Sequence, residues 1–140
     1  MKHKLVGDRY IIRLDRGEKI AESLVDFCTR NKIILGYFFG IGTASRVDLA
    51  HYRLDKKDNH AFSTIEKPLE ICSLTGNICL FDGKIALHSH IVVSDEEMHA
   101  YGGHLKEAVV AATCEILLMR INAEIDRKFC GDVGLNLLDL

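Results

Sequence analysis

The stretch IALHSHIVVSDEEMHAYGGHL, residues 85–105, contains two apolar segments separated by a short polar break. Ile85–Val93 is rich in strand-forming residues, and the polar segment Asp95–His99 separates it from the second apolar segment. We predict that the two segments fold back on each other as an antiparallel hairpin centred on Glu97. Residues whose numbers sum to 194 then face each other, so His104 is expected opposite His90.

Three histidines of this hairpin are predicted to share one face of the sheet. His88 and His90 are two residues apart in a strand, which places their Cα atoms roughly 6.6 Å apart with both side chains on the same side. The register adds His104 to that face, and Gly102 and Gly103 leave room for a close approach or a bulge beside it. His88, His90 and His104 are therefore the candidate metal ligands.

The chemistry of such a site follows from its donors. Imidazole nitrogens bind zinc at about 2.0–2.1 Å, and three of them without a cysteine favour a borderline divalent ion. Zinc is the first expectation, with nickel, cobalt and iron left open. Three protein ligands leave a fourth position for water or a small-molecule ligand. The competing interpretation of the His-x-His pair is two partly buried histidines that hydrogen-bond within a sheet.

A catalytic site would also need an acid or base near that fourth position. The carboxylates that can be named are Glu70, Glu115, Asp95 and Glu96. Local spacing places none of them, so each is expected to be a surface or structural residue. His99 falls in the predicted loop and is left out of the ligand set, and His3, His51 and His60 are expected to be unrelated polar positions.

Upstream of the hairpin, the pattern predicts one strand and one helix. Tyr10–Leu14 is a short strand-like segment. Ile20, Leu24, Phe27 and Cys28 follow the 3.6-residue period and predict an amphipathic helix within residues 17–31.

The rest of the chain is strand-like. Asp82-Gly83 is a strong hairpin signal, Asp55–Asn59 is a polar hairpin loop, and Gly40–Gly42 indicates a turn or bulge. Residues 108–121 fit either a helix or a strand, and we favour a strand at 113–121 preceded by a turn or one helical turn. The other predicted strands are Ile33–Ile41, Arg46–Leu54, Ala61–Ile65, Leu69–Phe81, Lys84–Ser94 and a closing strand at Leu135–Leu140.

These elements predict an α+β fold with a largely antiparallel sheet of about seven or eight strands and one main N-terminal helix. The length of 140 residues, of which 48% are hydrophobic, suits a single domain over residues 1–140 with one core.

Composition narrows the possible partners and the location. Lys and Arg number 18 against 20 Asp and Glu, so there is no overall attraction to nucleic-acid phosphates. Met1–Arg9 is charged where a signal peptide needs an apolar stretch, and Val109–Met119 contains Glu115 and is too short to span a bilayer. Five cysteines without a C-x-x-C pair predict reduced thiols. We expect a cytoplasmic protein with no membrane partner.

Two weaker motifs are set aside. Gly40–Ser45 superficially matches a dinucleotide-binding loop, but Ser45 stands at the last glycine position and a strand pattern follows. Asp126-Arg127-Lys128 is expected to be a solvated loop.

Several segments together resemble the plant-and-prokaryote conserved (PPC) domain, in order over nearly the whole chain. They are Arg13–Glu18, Gly40–Ala44, Pro68–Ile78, His88–His90, Gly102–Leu105 and the ending from Asp126 to Leu140. The His-x-His pair followed by Gly-Gly-His-Leu is the most specific of these.

The resemblance implies an α+β domain with an antiparallel sheet, assembled as a homotrimer, in which His88, His90 and His104 can hold zinc. Plant relatives carry an Arg-Gly-Arg-Pro type segment that enters the DNA minor groove, and no such segment is found here, where Pro68 is the single proline. The apolar segments 108–119 and 135–140 are then candidate trimer contacts. We expect a metal-binding binding or regulatory module. The alternatives are a zinc-dependent hydrolase acting on a small molecule, and direct DNA binding by a face of the trimer.

Overall fold

A computed structural model describes residues 1–53 and 61–140 and the backbone of His60. The predicted loop Asp55–Asn59, and the end of the strand predicted to reach Leu54, lie outside the described residues. The described elements, in chain order, are β1 (Lys2–Val6), β2 (Arg9–Asp15), α1 (Ile20–Arg30), β3 (Gly36–Tyr52), β4 (His60–Phe81), β5 (Lys84–Ser94), β6 (Ala100–Arg120), β7 (Arg127–Cys130) and β8 (Leu135–Leu138).

Six strands form one antiparallel sheet in the order β1-β2-β6-β3-β4-β5. The sheet also closes on itself, because the beginning of β6 pairs with β5 while the rest of β6 pairs with β3. β7 and β8 form a separate two-stranded sheet. The predicted α+β fold with a largely antiparallel sheet is confirmed.

Helix α1 covers one side of this sheet. Its buried residues are Ile20, Leu24, Phe27 and Cys28, the same apolar positions that predicted it. Lys19 at its N-terminus makes no side-chain cap. The carboxylate of Glu107, on β6, instead accepts the backbone N–H groups of Ala21 and Glu22 at 2.8 and 3.2 Å. A neighbouring strand therefore satisfies the helix N-terminus.

The core lies between α1 and the inner face of the closed sheet. Fully buried side chains come from the helix and from strands distant in sequence, including Phe38, Leu74, Ile91 and Ile116. The outer face alternates with this inner face along each strand, as the period of two requires.

The long strands differ from the sequence-based prediction. β3 and β4 each run without a break where two shorter strands were predicted, and the irregularities in β3 are bulges around Gly40–Gly42 and Ala44–Arg46. At Gly42 a Cβ atom would lie 2.2 Å from the carbonyl oxygen of Thr113. The glycine is therefore needed for the close approach of β6, and a bulge lets the strand continue where the sequence had also allowed a turn.

The prediction of a turn or helical turn before residue 113 is wrong, because β6 is continuous from Ala100 to Arg120. The choice between helix and strand is decided by the pairing of β6 with β2, β3 and β5. Local periodicity carries no information about these partners. β1 was not predicted, since all five of its residues are exposed and carry no alternation. The C-terminal strand exists, but it pairs with β7 rather than closing the main sheet.

Within the described residues, no helix has the length and hydropathy to cross a membrane.

Candidate metal centre

The hairpin of β5 and β6 carries the candidate site. His90 pairs with His104 and Ser94 with Ala100, which confirms the predicted register. The turn is built around Asp95, which is 6% exposed and accepts the backbone N–H groups of Glu97 and His99. Asp95 also accepts hydrogen bonds from Lys67 Nζ at 2.6 Å and Tyr101 Oη at 2.9 Å. The hydrogen bond from Lys67 is the main reason that the pKa of Asp95 lies well below its usual range.

The three predicted histidines converge. The ring centroids of His88 and His90 are 5.4 Å apart, those of His88 and His104 are 5.2 Å apart, and those of His90 and His104 are 5.6 Å apart. One nitrogen from each ring lies within 4.8 Å of those of the other two. His88 and His104 are half-buried and His90 is exposed, so the cluster opens to solvent on one side.

This donor set fits a divalent transition metal. Two nitrogens bound to one zinc ion at 2.0–2.1 Å can be no more than about 4.2 Å apart. Separations of up to 4.8 Å therefore need only small side-chain adjustments. A metal held by three imidazoles would act as a Lewis acid toward whatever occupied its remaining position.

The protonation state of His88 also suits ligation. Burial, the Arg127 guanidinium and the neighbouring His90 together lower its pKa below the usual value, with burial the largest cause. Neutral imidazole is the form that binds metals. His88 is therefore held in the ligating form at neutral pH.

The histidines end two rows of side chains that cross the outer face of the sheet. In one row, Met119, Tyr37, Asn77 and His88 are successive register partners on β6, β3, β4 and β5. In the next row the partners are Leu117, Phe39, Thr75, His90 and His104. An open groove of about 460 Å³ is lined by members of both rows, including His88 and His90.

One residue beside the groove was missed by sequence analysis. Arg127 was assigned to a solvated loop, but it begins β7, is half-buried, and donates a hydrogen bond from Nη2 to Asn77 Oδ1 at 2.7 Å. The segment before β7 lies alongside the end of β4, where Leu80 N–H donates to the Ile125 carbonyl oxygen. Because this contact joins positions far apart in the chain, no local pattern reveals it.

A family model for the Plants and Prokaryotes Conserved (PCC) domain matches residues 1–122. The chain belongs to this family. PCC and PPC are two abbreviations for the same family, the one that the sequence motifs resemble.

Solved structures agree with this assignment. A candidate DNA-binding protein from Bacteroides thetaiotaomicron is 29% identical, with a TM-score of 0.95 over 99% of this chain and 96% of that chain. A metal-containing protein from Archaeoglobus fulgidus is 29% identical, with a TM-score of 0.89 over 97% of this chain and 96% of that chain.

One curated relative is the bifunctional protein GlmU of a Synechococcus strain, which is 30% identical over 112 residues. The match takes in 78% of this chain but 16% of that protein. The PCC-domain chain thus spans a small part of the length of this relative.

The other polar residues singled out from the sequence lie apart from the groove of this PCC domain. Asp95 is buried in the hairpin turn, Glu70, Glu96 and Glu115 are exposed, and none of the four lines the groove. His3 packs edge-on against Phe27 at 4.9 Å. His51 is exposed on β3, and the side chain of His60 is outside the described residues.

His99 belongs to a second group of ligand-type atoms, with Asp95 and Glu97, that also lie within 4.8 Å of one another. Its Nδ1 is 3.7 Å from Asp95 Oδ1 and 3.3 Å from Glu97 Oε2. Asp95 is already occupied by Lys67, Tyr101 and two backbone N–H groups. The proximity of these three residues is therefore explained by the hydrogen bonds that form the turn.

Proposed function

We propose that this PCC-domain protein binds one divalent metal ion, with zinc the best fit, through His88, His90 and His104, and acts as a binding or regulatory module. The observation that carries the proposal is the convergence of three imidazole nitrogens from two strands within 4.8 Å. A similar protein from Archaeoglobus fulgidus is described as metal-containing, which supports the same interpretation.

The test is the metal content of the protein purified without added metal. We expect about one equivalent of zinc per chain in the wild type and in His51→Ala, a histidine control outside the cluster. His88→Ala and His104→Ala are expected to lose it. Equal metal content in all four proteins would reject the ligand assignment.

We further propose that three copies assemble, as expected for this family. The outer face of the sheet supports this, because Ile11 and Ile41 are 53% and 60% exposed. An apolar face of this kind on a small domain is typical of an interaction surface.

The five cysteines are all free thiols, which agrees with a reducing cytoplasmic location.

A zinc-dependent hydrolase acting on a small molecule is the second candidate, because the groove adjoins the corner of the site that the histidines leave open. Hydrolysis also calls for a general acid or base. Among the described residues that line the groove there is no carboxylate. This favours binding over hydrolysis, and a screen for zinc-dependent turnover of small esters and amides would reverse the preference if it found activity that His104→Ala abolishes.

DNA binding is the third candidate, because the similar Bacteroides thetaiotaomicron protein is described as a candidate DNA-binding protein. The net charge of −2 provides no general attraction to phosphates. Titration with duplex DNA at low salt tests it, and affinity that falls steeply with added salt would favour it over the small-molecule module.

A further inference from the structure

Asn77 lies in the groove directly beside the histidine cluster. It is the direct cross-strand partner of His88, on the strand beside it, and it lines the groove together with His88 and His90. Directly opposite pairs in an antiparallel sheet have Cβ atoms about 4.5–5.5 Å apart. The Asn77 amide is therefore within reach of a molecule bound at the open corner of the site.

Arg127 fixes the orientation of that amide. A guanidinium carries donors and no acceptor, so the Asn77 atom that contacts Arg127 Nη2 at 2.7 Å must be the carbonyl oxygen. The amide nitrogen, Nδ2, then points away from Arg127 and is left to donate elsewhere.

Arg127 is itself held in place by two further hydrogen bonds. Its Nε donates to Cys79 Sγ at 3.0 Å, and its Nη1 donates to the backbone oxygen of Asn136 at 2.8 Å. Three contacts on three different partners restrict the guanidinium to one orientation. The Asn77 donor is therefore preorganised, which lowers the cost of ordering it on binding.

The charges around the groove favour an anion. Among the ion pairs of the described residues, none involves Arg127, so no described carboxylate within 4.0 Å neutralises its positive charge. The described groove lining also contains no acidic side chain. A bound divalent ion would add two further positive charges.

The rest of the groove favours an apolar ligand body. Tyr37 and Phe39 line it and are 43% and 48% exposed. Exposed aromatic side chains provide contact area for an apolar group at low entropic cost.

We propose that the site binds a small organic acid: one carboxylate oxygen occupies the open metal position, the carboxylate accepts a hydrogen bond from Asn77 Nδ2, and the apolar part packs on Tyr37 and Phe39. Arg127 is a positioning residue that orients Asn77. This inference rests on the proposed metal site and names the ligand class of that site.

The test uses the full chain loaded with Co²⁺, whose visible absorption reports the ligands of the metal. Benzoate is the carboxylate probe and imidazole is the neutral probe. Asn77→Asp is the decisive variant, because it keeps an oxygen acceptor for Arg127 and replaces the Nδ2 donor by a second oxygen. Asn122→Asp, in a separate groove, introduces the same charge change as a control.

We expect Asn77→Asp to bind Co²⁺ and imidazole like the wild type and to bind benzoate at least about tenfold more weakly, since a hydrogen bond to a charged group is lost and the new carboxylate repels the benzoate carboxylate. Asn122→Asp is expected to match the wild type with both probes. Arg127→Met is expected to weaken benzoate binding and Arg127→Lys to restore part of it, a rescue that a purely structural role in anchoring β7 does not predict.

The outcomes separate the two proposals. If the wild type does not bind Co²⁺, the metal site and the ligand class both fail. Should Co²⁺ bind while benzoate does not, or should Asn77→Asp and Asn122→Asp bind benzoate equally, the ligand class alone is overturned. Loss of Co²⁺ binding in Asn77→Asp would also overturn it, since Asn77 would then belong to the metal site.

Discussion

The rise in melting temperature on addition of zinc is a sensitive test of the three-histidine site, and His104→Ala is the variant that tests it most sharply. His104 is the one proposed ligand on β6, whereas His88 and His90 share β5. A ligand that binds only the folded state stabilises it by about 2.7 kcal/mol at 100 times its Kd. For 140 residues the unfolding entropy is about 0.3 kcal/mol/K, so the wild type is expected to gain about 9 °C.

Removal of His104 leaves two of the three proposed ligands, both on one strand. Loss of a residue that merely orients a metal ligand costs 10–100-fold in affinity, so loss of a direct ligand is expected to cost at least about 100-fold. The zinc concentration that is 100 times the wild-type Kd then only equals the Kd of the variant. The remaining stabilisation is about 0.4 kcal/mol, and the gain falls below about 2 °C.

Thermal unfolding is followed by circular dichroism with and without zinc, with the thiols kept reduced. Each variant is compared with its own metal-free form, which removes any direct effect of the substitution on stability. His51→Ala is the matched control and is expected to retain the full gain. The reasoning is refuted if His104→Ala gains as much as the wild type, or if zinc leaves the wild type unchanged.

Three further predictions concern the fold that supports the site and the assembly of the chain. Asp95→Asn should destabilise the hairpin at neutral pH by breaking its contact with Lys67. Because the folded-state pKa of Asp95 is lowered, its contribution to stability is present above the ordinary pKa of 3.8 and is lost as the pH falls below that value. The free energies of unfolding of the wild type and the variant should therefore converge at low pH. A difference between them that stays constant with pH would contradict this. Gly42→Ala should lower the free energy of unfolding by about 3 kcal/mol, or the melting temperature by about 10 °C, because the new Cβ would meet a carbonyl oxygen at 2.2 Å. Gly131→Ala, whose Cβ would have no described atom within 4 Å, should cost less than about 1 kcal/mol, and chemical denaturation of both variants checks the difference. Ile41→Lys should convert a trimer of about 47 kDa, three times 15.7 kDa, into monomers by light scattering, and an unchanged mass would remove this face from the interface.

Local patterns predicted the elements that carry strong periodicity or turn chemistry. Helix α1 buries the four apolar residues that indicated it. Asp82 and Gly83 have φ values of 51° and 70°, as the two-residue hairpin signal requires. The same patterns failed where pairing rather than local preference decides the structure, as in the continuous β6 and the fully exposed β1.

The candidate site divides in the same way. The pairing of His90 with His104 follows from a short turn and a period of two, so counting along the chain was sufficient to predict it. The placement of Asn77 beside His88, and of Arg127 against Asn77, depends on β4 pairing with β5 and on the C-terminal hairpin lying beside β4.

The sequence alone therefore determined the clustering of the three histidines, because a hairpin brings near neighbours together at fixed spacing. Only the tertiary structure decided what surrounds these histidines, namely the aromatic side chains of β3, the amide on β4 and the guanidinium on β7. The physical reason is that residues 37, 77 and 127 are separated by tens of positions, and the register between distant strands is set by burial of the shared core.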